Sequence, residues 1–159
     1  MKRFHYYHLL FLCAFSLFPL KGLTVTYVVH PSYPISEISE WTEQTLMITL
    51  TAGFHDDASE AANVRRHYLP TAWRPMEAFF RDKVHYINEQ HIVLHPQPVV
   101  PSVVTVQNCE GTSCWRVHQA FLIPELRNRI DFNVLVVTAH PAHGSPFLIQ
   151  SLDIALSDY

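Results

Sequence analysis

Glycine is scarce in this 159-residue chain, four residues against eleven prolines. So few glycines leave no phosphate-cradling loop, and no G-x-S-x-G nucleophile elbow occurs. Charge is also thin, at 16% of residues, below the usual quarter. The 48% hydrophobic content nevertheless excludes a disordered chain. Three cysteines are too few for a cysteine-dense scaffold. No acid precedes Glu37, whereas Lys2, Arg3 and Lys21 all lie in the first 21 positions. Beyond residue 22, eight Lys and Arg face fourteen acids, a net charge of −6. A body that acidic argues against nucleic acid as a partner. No repeat or low-complexity tract is present, and the length suits one domain with a real core.

What the N-terminus has is an address. Met1-Lys2-Arg3 is a positive n-region, followed by the apolar stretch Leu9–Leu20 (LLFLCAFSLFPL) and Lys21-Gly22. Such a stretch makes about 18 Å of helix, short of the ~30 Å hydrocarbon core. The pattern reads as a secretory signal peptide over residues 1–22, with a short inner-membrane anchor as the rival. Gly22 offers a small residue for cleavage, although Leu20 two positions earlier is large. Cys13 is not a lipoprotein cysteine, because Leu12 stands where a small residue is needed. The expected location is periplasmic, with inner-membrane contact only if the segment stays uncleaved.

Removing the address removes Cys13 and leaves Cys109 and Cys114 in CEGTSC. An even count in an oxidising compartment points to a bridge. Strand-like residues Val103–Val106 and Trp115–His118 flank the segment. Glu110–Ser113 then form a hairpin loop, with Gly111 available for a positive φ and the cysteines facing each other across the ladder. Redox activity is the weaker reading, since the spacing is not C-x-x-C.

Residues 23–35 (LTVTYVVHPSYPI) read as an extended leader, an edge strand or a tether punctuated by Pro31 and Pro34. A first helix follows Ser36 as N-cap, with Ile38, Trp41, Thr45, Ile48 and Ala52 on one face, widened by Leu46 and Leu50, and Gly53 as its stop. A short polar helix spans Asp57–Tyr68. A third runs from about Thr71 to Glu89, burying Trp73, Met76, Phe80, Val84 and Ile87; its Pro75 is tolerable in the first turn. From residue 92 the period changes to two, with strands over 92–95, 98–107, 114–123, 129–140 and 146–157. Trp115, Val117, Phe121 and Ile123 alternate with more polar neighbours, as do Ile130, Phe132, Val134 and Val136. Leu135 and Val137 on the other face suggest a sheet covered on part of both sides. Helices first and an antiparallel meander afterwards define an α+β fold over residues 36–159.

Chemistry is hard to find. His91/His95 and His140/His143 have spacings that ligands can use, but His91–His95 on a strand lie about 13 Å apart, and no neighbouring carboxylate completes His140-Pro-Ala-His143. His55-Asp56-Asp57 sits at a helix junction where Asp is a common cap. Tyr68, Tyr86, Glu77 and Asp131 are not brought together by the sequence. No metal or cofactor is expected. Trp41, Trp73 and Trp115 read as core or interface anchors. Nine of the eleven histidines lie beyond residue 22. Acidification toward pH 5 moves the net charge to about +3, so partner binding is expected to respond below pH 6.

One ordered series of segments carries more. Trp41 opens the first helix. Phe54 and Tyr68-Leu69 precede the small-Trp pair Ala72-Trp73, and WRPMEAFF enters the third helix. Trp115-Arg116-Val117 then leads into Phe121-Leu122-Ile123-Pro124. RIDFNVLVVTA follows, and last comes Gly144 to Ile149-Gln150. From about Ser39 to Ile154 this series resembles the IcmL/DotI family of type IVB (Dot/Icm) secretion. The resemblance implies a strongly curved antiparallel sheet with helices on its concave side, a nuclear-transport-factor-like cone. It makes Trp41, Trp73, Trp115, Val117 and Pro124 the family-motif core, with no catalytic residues. It also implies a non-enzymatic scaffold or accessory role, with secretion-system envelope proteins or a second copy as partners. The alternatives are a periplasmic small-molecule binder or enzyme using the cone's cavity, or a secreted effector. A deep cavity with converging Tyr, Asp or His favours a binder; one filled by Trp and Phe favours a scaffold.

Overall fold

The computed structural model describes residues 33–52, 58–99, 101–110 and 112–159. Helices α1 (Ile35–Ala52), α2 (Ala58–Arg65) and α3 (Pro70–Glu89) precede strands β1 (Gln97–Pro98), β2 (Val103–Cys109), β3 (Thr112–Ile123), β4 (Asn128–Thr138) and β5 (Phe147–Asp158). The class is α+β, as expected. The address, most of the leader, Gly53, Phe54, His55-Asp56-Asp57 and Gly111 lie outside the described residues.

α1 begins before its expected cap. The Pro34 carbonyl accepts from the N–H groups of Glu37 and Ile38 (3.1 and 3.3 Å), so Ser36 lies inside the first turn. Its buried face is also rotated from the expected one. Ile38, Thr42, Thr45, Leu46, Thr49 and Leu50 are buried, whereas Ile48 is 56% exposed. Threonine can be buried here because its hydroxyl donates one turn back: Thr42 to the Ile38 carbonyl (2.7 Å) and Thr49 to that of Thr45 (2.6 Å). α3 starts at Pro70, which needs no N–H at the first helical position. This places Pro75 in the second turn, where it removes one backbone donor without ending the helix. Ala72, Met76, Phe79, Phe80 and Ile87 are buried along it, while Trp73 and Val84 are half-buried.

The five strands form one antiparallel sheet in which β3 is flanked by β4 on one side and by β2 and β1 on the other, with β5 beyond β4. The expected strand over 92–95 does not form, and the expected 98–107 strand is interrupted around Pro101. Ahead of Pro101 the ladder with β3 is limited to Gln97 and Pro98, opposite Leu122 and Phe121, with the Val99 N–H donating to the Ala120 carbonyl (3.1 Å). Proline has no ladder donor, so Pro96, Pro98 and Pro101 hold this stretch to a fragment at the sheet margin. β3 and β4 alternate as expected: Trp115, Val117, Phe121, Ile123, Ile130, Phe132, Val134 and Val136 are all buried beneath the helices. In β5 the partner of Val136 is Ile149 and that of Leu135 is Ser151, leaving Gln150 as a bulge. The bulge keeps Phe147, Ile149 and Leu152 on one face despite a three-residue step. α1 packs against β2 and β3, and α3 against β5. On the outer face Leu135 and Val137 are half-buried and share a hollow with Leu69, Cys109 and Gln150, so that face is covered at one end.

Candidate interaction surfaces

The helix-covered face of the sheet is packed by aromatic rings. Phe147 is fully buried and meets Tyr33 at 4.6 Å, Trp41 at 5.4 Å and Trp115 at 5.8 Å between ring centroids, all edge-on. Edge-to-face geometry suits the aromatic quadrupole and adds about 0.5–1.5 kcal/mol per pair beyond area burial. Phe121 and Phe132 repeat the arrangement at 6.0 Å, and Trp73 meets Tyr68 at 5.3 Å. Tyr68 is buried at the sheet margin, its hydroxyl 2.7 Å from Thr49 Oγ1. Since the Thr49 hydroxyl donates to the Thr45 carbonyl, Tyr68 donates to Thr49. Burial raises the Tyr68 phenol far above its ordinary range, with the Thr49 hydrogen bond opposing weakly.

The titratable candidates do not converge. Tyr86 and Glu77 are exposed on α3. Asp131 lies on the outer face, gripped by Arg129 Nε and Nη2 (2.8 and 2.9 Å) with His118 at 3.3 Å. The Arg129 hydrogen bonds hold its carboxyl below the usual range. His91 lies just after the Gln90 cap of α3 with φ +50°, and His95 does not sit on a strand but pairs with Glu125 at 2.8 Å. His140 caps a short 3-10 turn through Ala142 N–H (3.2 Å). Among the described residues no three His, Cys, Asp or Glu side chains gather as metal ligands. His67 Nδ1 is buried without a hydrogen-bond partner. Burial, then the nearby Arg66 and His143, lowers the basicity of that imidazole.

The family-motif residues fall in three places. Trp115 and Val117 are core. Trp41 and Trp73 are half-buried and pack against that core from α1 and α3. Pro124 is exposed and starts the 3-10 turn joining β3 to β4, which closes with Arg127 at φ +52°.

Cys109 and Cys114 form a disulfide, with Cα atoms 5.8 Å apart. The hairpin is tighter than expected. Cys109 pairs with Thr112 and Cys114 with Gln107, so the cysteines are diagonal rather than directly opposite. Glu110 takes a positive φ of +51°. Closing a five-residue separation constrains the unfolded chain by about 2 kcal/mol in the loop-entropy model. Replacing both cysteines by serine is expected to lower the unfolding free energy by about that amount. Urea denaturation of oxidised wild type against the double variant measures it.

Besides the hollow on the outer face, two grooves and a strand edge are accessible among the described residues. Trp41, Ile48, Val64, Arg66 and His67 line a groove of about 400 Å³ between α1 and α2. Pro75, Phe79, Asp82, Leu152, Ile154 and Leu156 line another of about 370 Å³ between α3 and β5. β5 itself is the last strand of the sheet.

No family model matches the sequence, and no curated protein matches it. Solved structures do. The periplasmic domain of DotI superposes with a TM-score of 0.65 over 79% of this chain and 97% of that one, at 11% identity. The fold is that of the DotI periplasmic domain. An IcmL-like type IV secretion system protein from Legionella pneumophila gives the same TM-score, 0.65, at 11% identity over 81% and 97% of the two chains. A periplasmic fragment of TraM gives 0.60 at 9% identity over 79% and 100%. The DotI-like fold here carries its aromatic cluster on the helix-covered face of the sheet. No helix among the described residues is long and apolar enough to cross a membrane. The open part of β5 carried no sequence signal, because edge status is a property of strand order.

Proposed function

We propose that this chain is an exported, non-enzymatic scaffold or accessory protein of a type IVB-like secretion envelope, acting through protein–protein contacts in the periplasm. The observation that carries the reading is the occupancy of the helix-covered face by Tyr33, Trp41, Trp115 and Phe147. Packed rings leave that face to stability and move recognition to the rim and the edges. The likeness to periplasmic pieces of DotI and TraM and to an IcmL-like secretion protein supports the same direction. Residues 1–22 act as the export signal in this reading, and residues 36–159 as the working domain. Affinity purification of the tagged full chain from cross-linked envelope fractions tests it. Recovery of type IV secretion components in stoichiometric yield is expected. Recovery of none, or of the chain from the cytoplasm alone, overturns it.

A further inference from the structure

We propose that the open half of β5, Ser151–Asp158, is a docking edge that takes, as an added strand, an extended partner segment in which apolar residues alternate with lysine or arginine. The proposal rests on the scaffold reading and specifies where and by what chemistry such a scaffold is engaged.

Among the described residues β5 has β4 as its only neighbouring strand. Its first part is closed on the other side by the chain entering α3. Leu69 N–H donates to the Ile149 carbonyl and Ile149 N–H to the His67 carbonyl, both at 2.9 Å. The Thr71 hydroxyl donates to the Gln150 carbonyl at 3.2 Å. From Ser151 to Asp158 no described backbone hydrogen bond other than the β4 ladder reaches the strand. Eight residues offer roughly 26 Å of edge. Natural sheets blunt such edges with proline, lysine or very short strands. At the other margin the two-residue β1, with Pro98 and Pro101 beside it, follows that rule. There β2 (Val103–Cys109) is a longer strand without proline or lysine, but it lacks an acidic residue or an adjoining apolar groove of the kind beside β5. The segment SLDIALSD contains neither proline nor lysine.

The face beside this edge is equally unfinished. Leu152, Ile154 and Leu156 continue the row that is core in the rest of the sheet. Leu152 is buried, Ile154 is half-buried and Leu156 is 48% exposed. With Pro75 and Phe79 of α3 they line the groove of about 370 Å³. An added strand would lay every second side chain on this row, which is how β-augmentation obtains specificity from a generic ladder. Charge selects the partner. Asp82 and Asp153 line the groove with Lys83, and Asp158 ends the strand; Arg129, in register with Ser157, is taken up by Asp131. A second copy would bring the same acidic edge against this one, and like charges across a strand pair are unfavourable. Basic residues between the apolar ones satisfy the edge and are steered to it.

The test uses the full exported chain with isotope labelling and a synthetic octapeptide alternating valine and lysine. Expected are saturable amide shifts and slowed hydrogen exchange confined to 151–158 and the facing turn of α3. The same residues in two blocks, or valine alternating with glutamate, bind about tenfold more weakly or not at all. The Asp153→Lys/Leu156→Lys variant, altered only at exposed positions, keeps its circular dichroism spectrum and loses about tenfold in affinity. Equal binding of the block peptide, shifts centred elsewhere, or a peptide-free dimer already protecting 151–158 overturns the proposal. Envelope purification separates the two readings. Secretion components retained by the Asp153→Lys/Leu156→Lys variant remove the edge proposal alone, whereas their absence from wild type removes the scaffold reading.

Discussion

Phe147→Ala is expected to destabilise the fold by about 3–5 kcal/mol and to lower the melting temperature by roughly 10–20 °C. Phe147 is fully buried at the start of β5, and its ring is the shared neighbour of Tyr33, Trp41 and Trp115. Truncation removes the transfer free energy of a benzyl group and leaves a cavity bounded by rings from the pre-helical segment, α1 and β3. Three large rings on three separate elements cannot all collapse into one vacancy, so the cost belongs at the high end of the large-to-small range. The pairwise edge-on contacts add to it. Out of a typical domain stability of about 5–15 kcal/mol, that is a large share. Thermal and urea unfolding of the variant measure it, with Leu156→Ala, half-exposed on the same strand, as the control at under about 1 kcal/mol. A loss below about 1 kcal/mol for Phe147→Ala would mean that the rings do not fill the face. The main support for a scaffold over a cavity-using binder would then fall with it.

How far the sequence discloses this molecule depends on the range of the interactions that decide each part. β3 and β4 are legible because one face of each is buried along its length, so the period of two holds from Ile130 to Val136 and, apart from the buried Gln119 and Ala120, from Trp115 to Ile123. α3 is legible through Met76, Phe80 and Ile87 for the same reason at helical period. α1 is less so. Its buried threonines are polar by composition, and their concealment depends on hydroxyl-to-carbonyl bonds one turn back. Hydropathy therefore placed Ile48 inwards, where the structure leaves it exposed. The stretch after α3 has strand composition, but pairing is a tertiary event, and Pro98 and Pro101 limit it to two residues. In β5 the bulge at Gln150 breaks the alternation that a regular strand would show. The disulfide pairing followed from cysteine count and compartment, but its diagonal register followed from the two-residue turn. The three tryptophans were visible as anchors. The open edge was not, since Ser151–Asp158 differs from any other strand only in what stands beside it.

Tyr68→Phe is expected to change the pH dependence of stability more than its magnitude at neutrality. Below pH 10 the variant loses the hydrogen bond to Thr49, a cost of about 1 kcal/mol. The Thr49 hydroxyl still donates to the Thr45 carbonyl, so no donor is stranded and the loss stays near that value. Above pH 10 the difference shrinks and then changes sign. Burial raises the folded-state phenol well above its unfolded value, so the unfolded chain releases a proton that the folded chain keeps. A raised group contributes stability that is complete below the unfolded pKa and declines as pH climbs toward the folded one. For one proton the slope is about 1.4 kcal/mol per pH unit. Wild type therefore loses an extra amount approaching 3 kcal/mol by pH 12 that the phenylalanine variant does not lose. The two stability curves cross about 0.7 unit above the unfolded tyrosine pKa, between pH 10 and pH 11. Subtracting them cancels every other titrating group, which isolates this one. Urea unfolding in paired buffers from pH 7 to pH 12 measures the difference, and parallel curves would show that Tyr68 is not sealed. Tyr68 is bridged to Ile149, where the strap before α3 closes the first part of β5. Its alkaline sensitivity therefore reports the integrity of the boundary at which the sheet edge passes from closed to open.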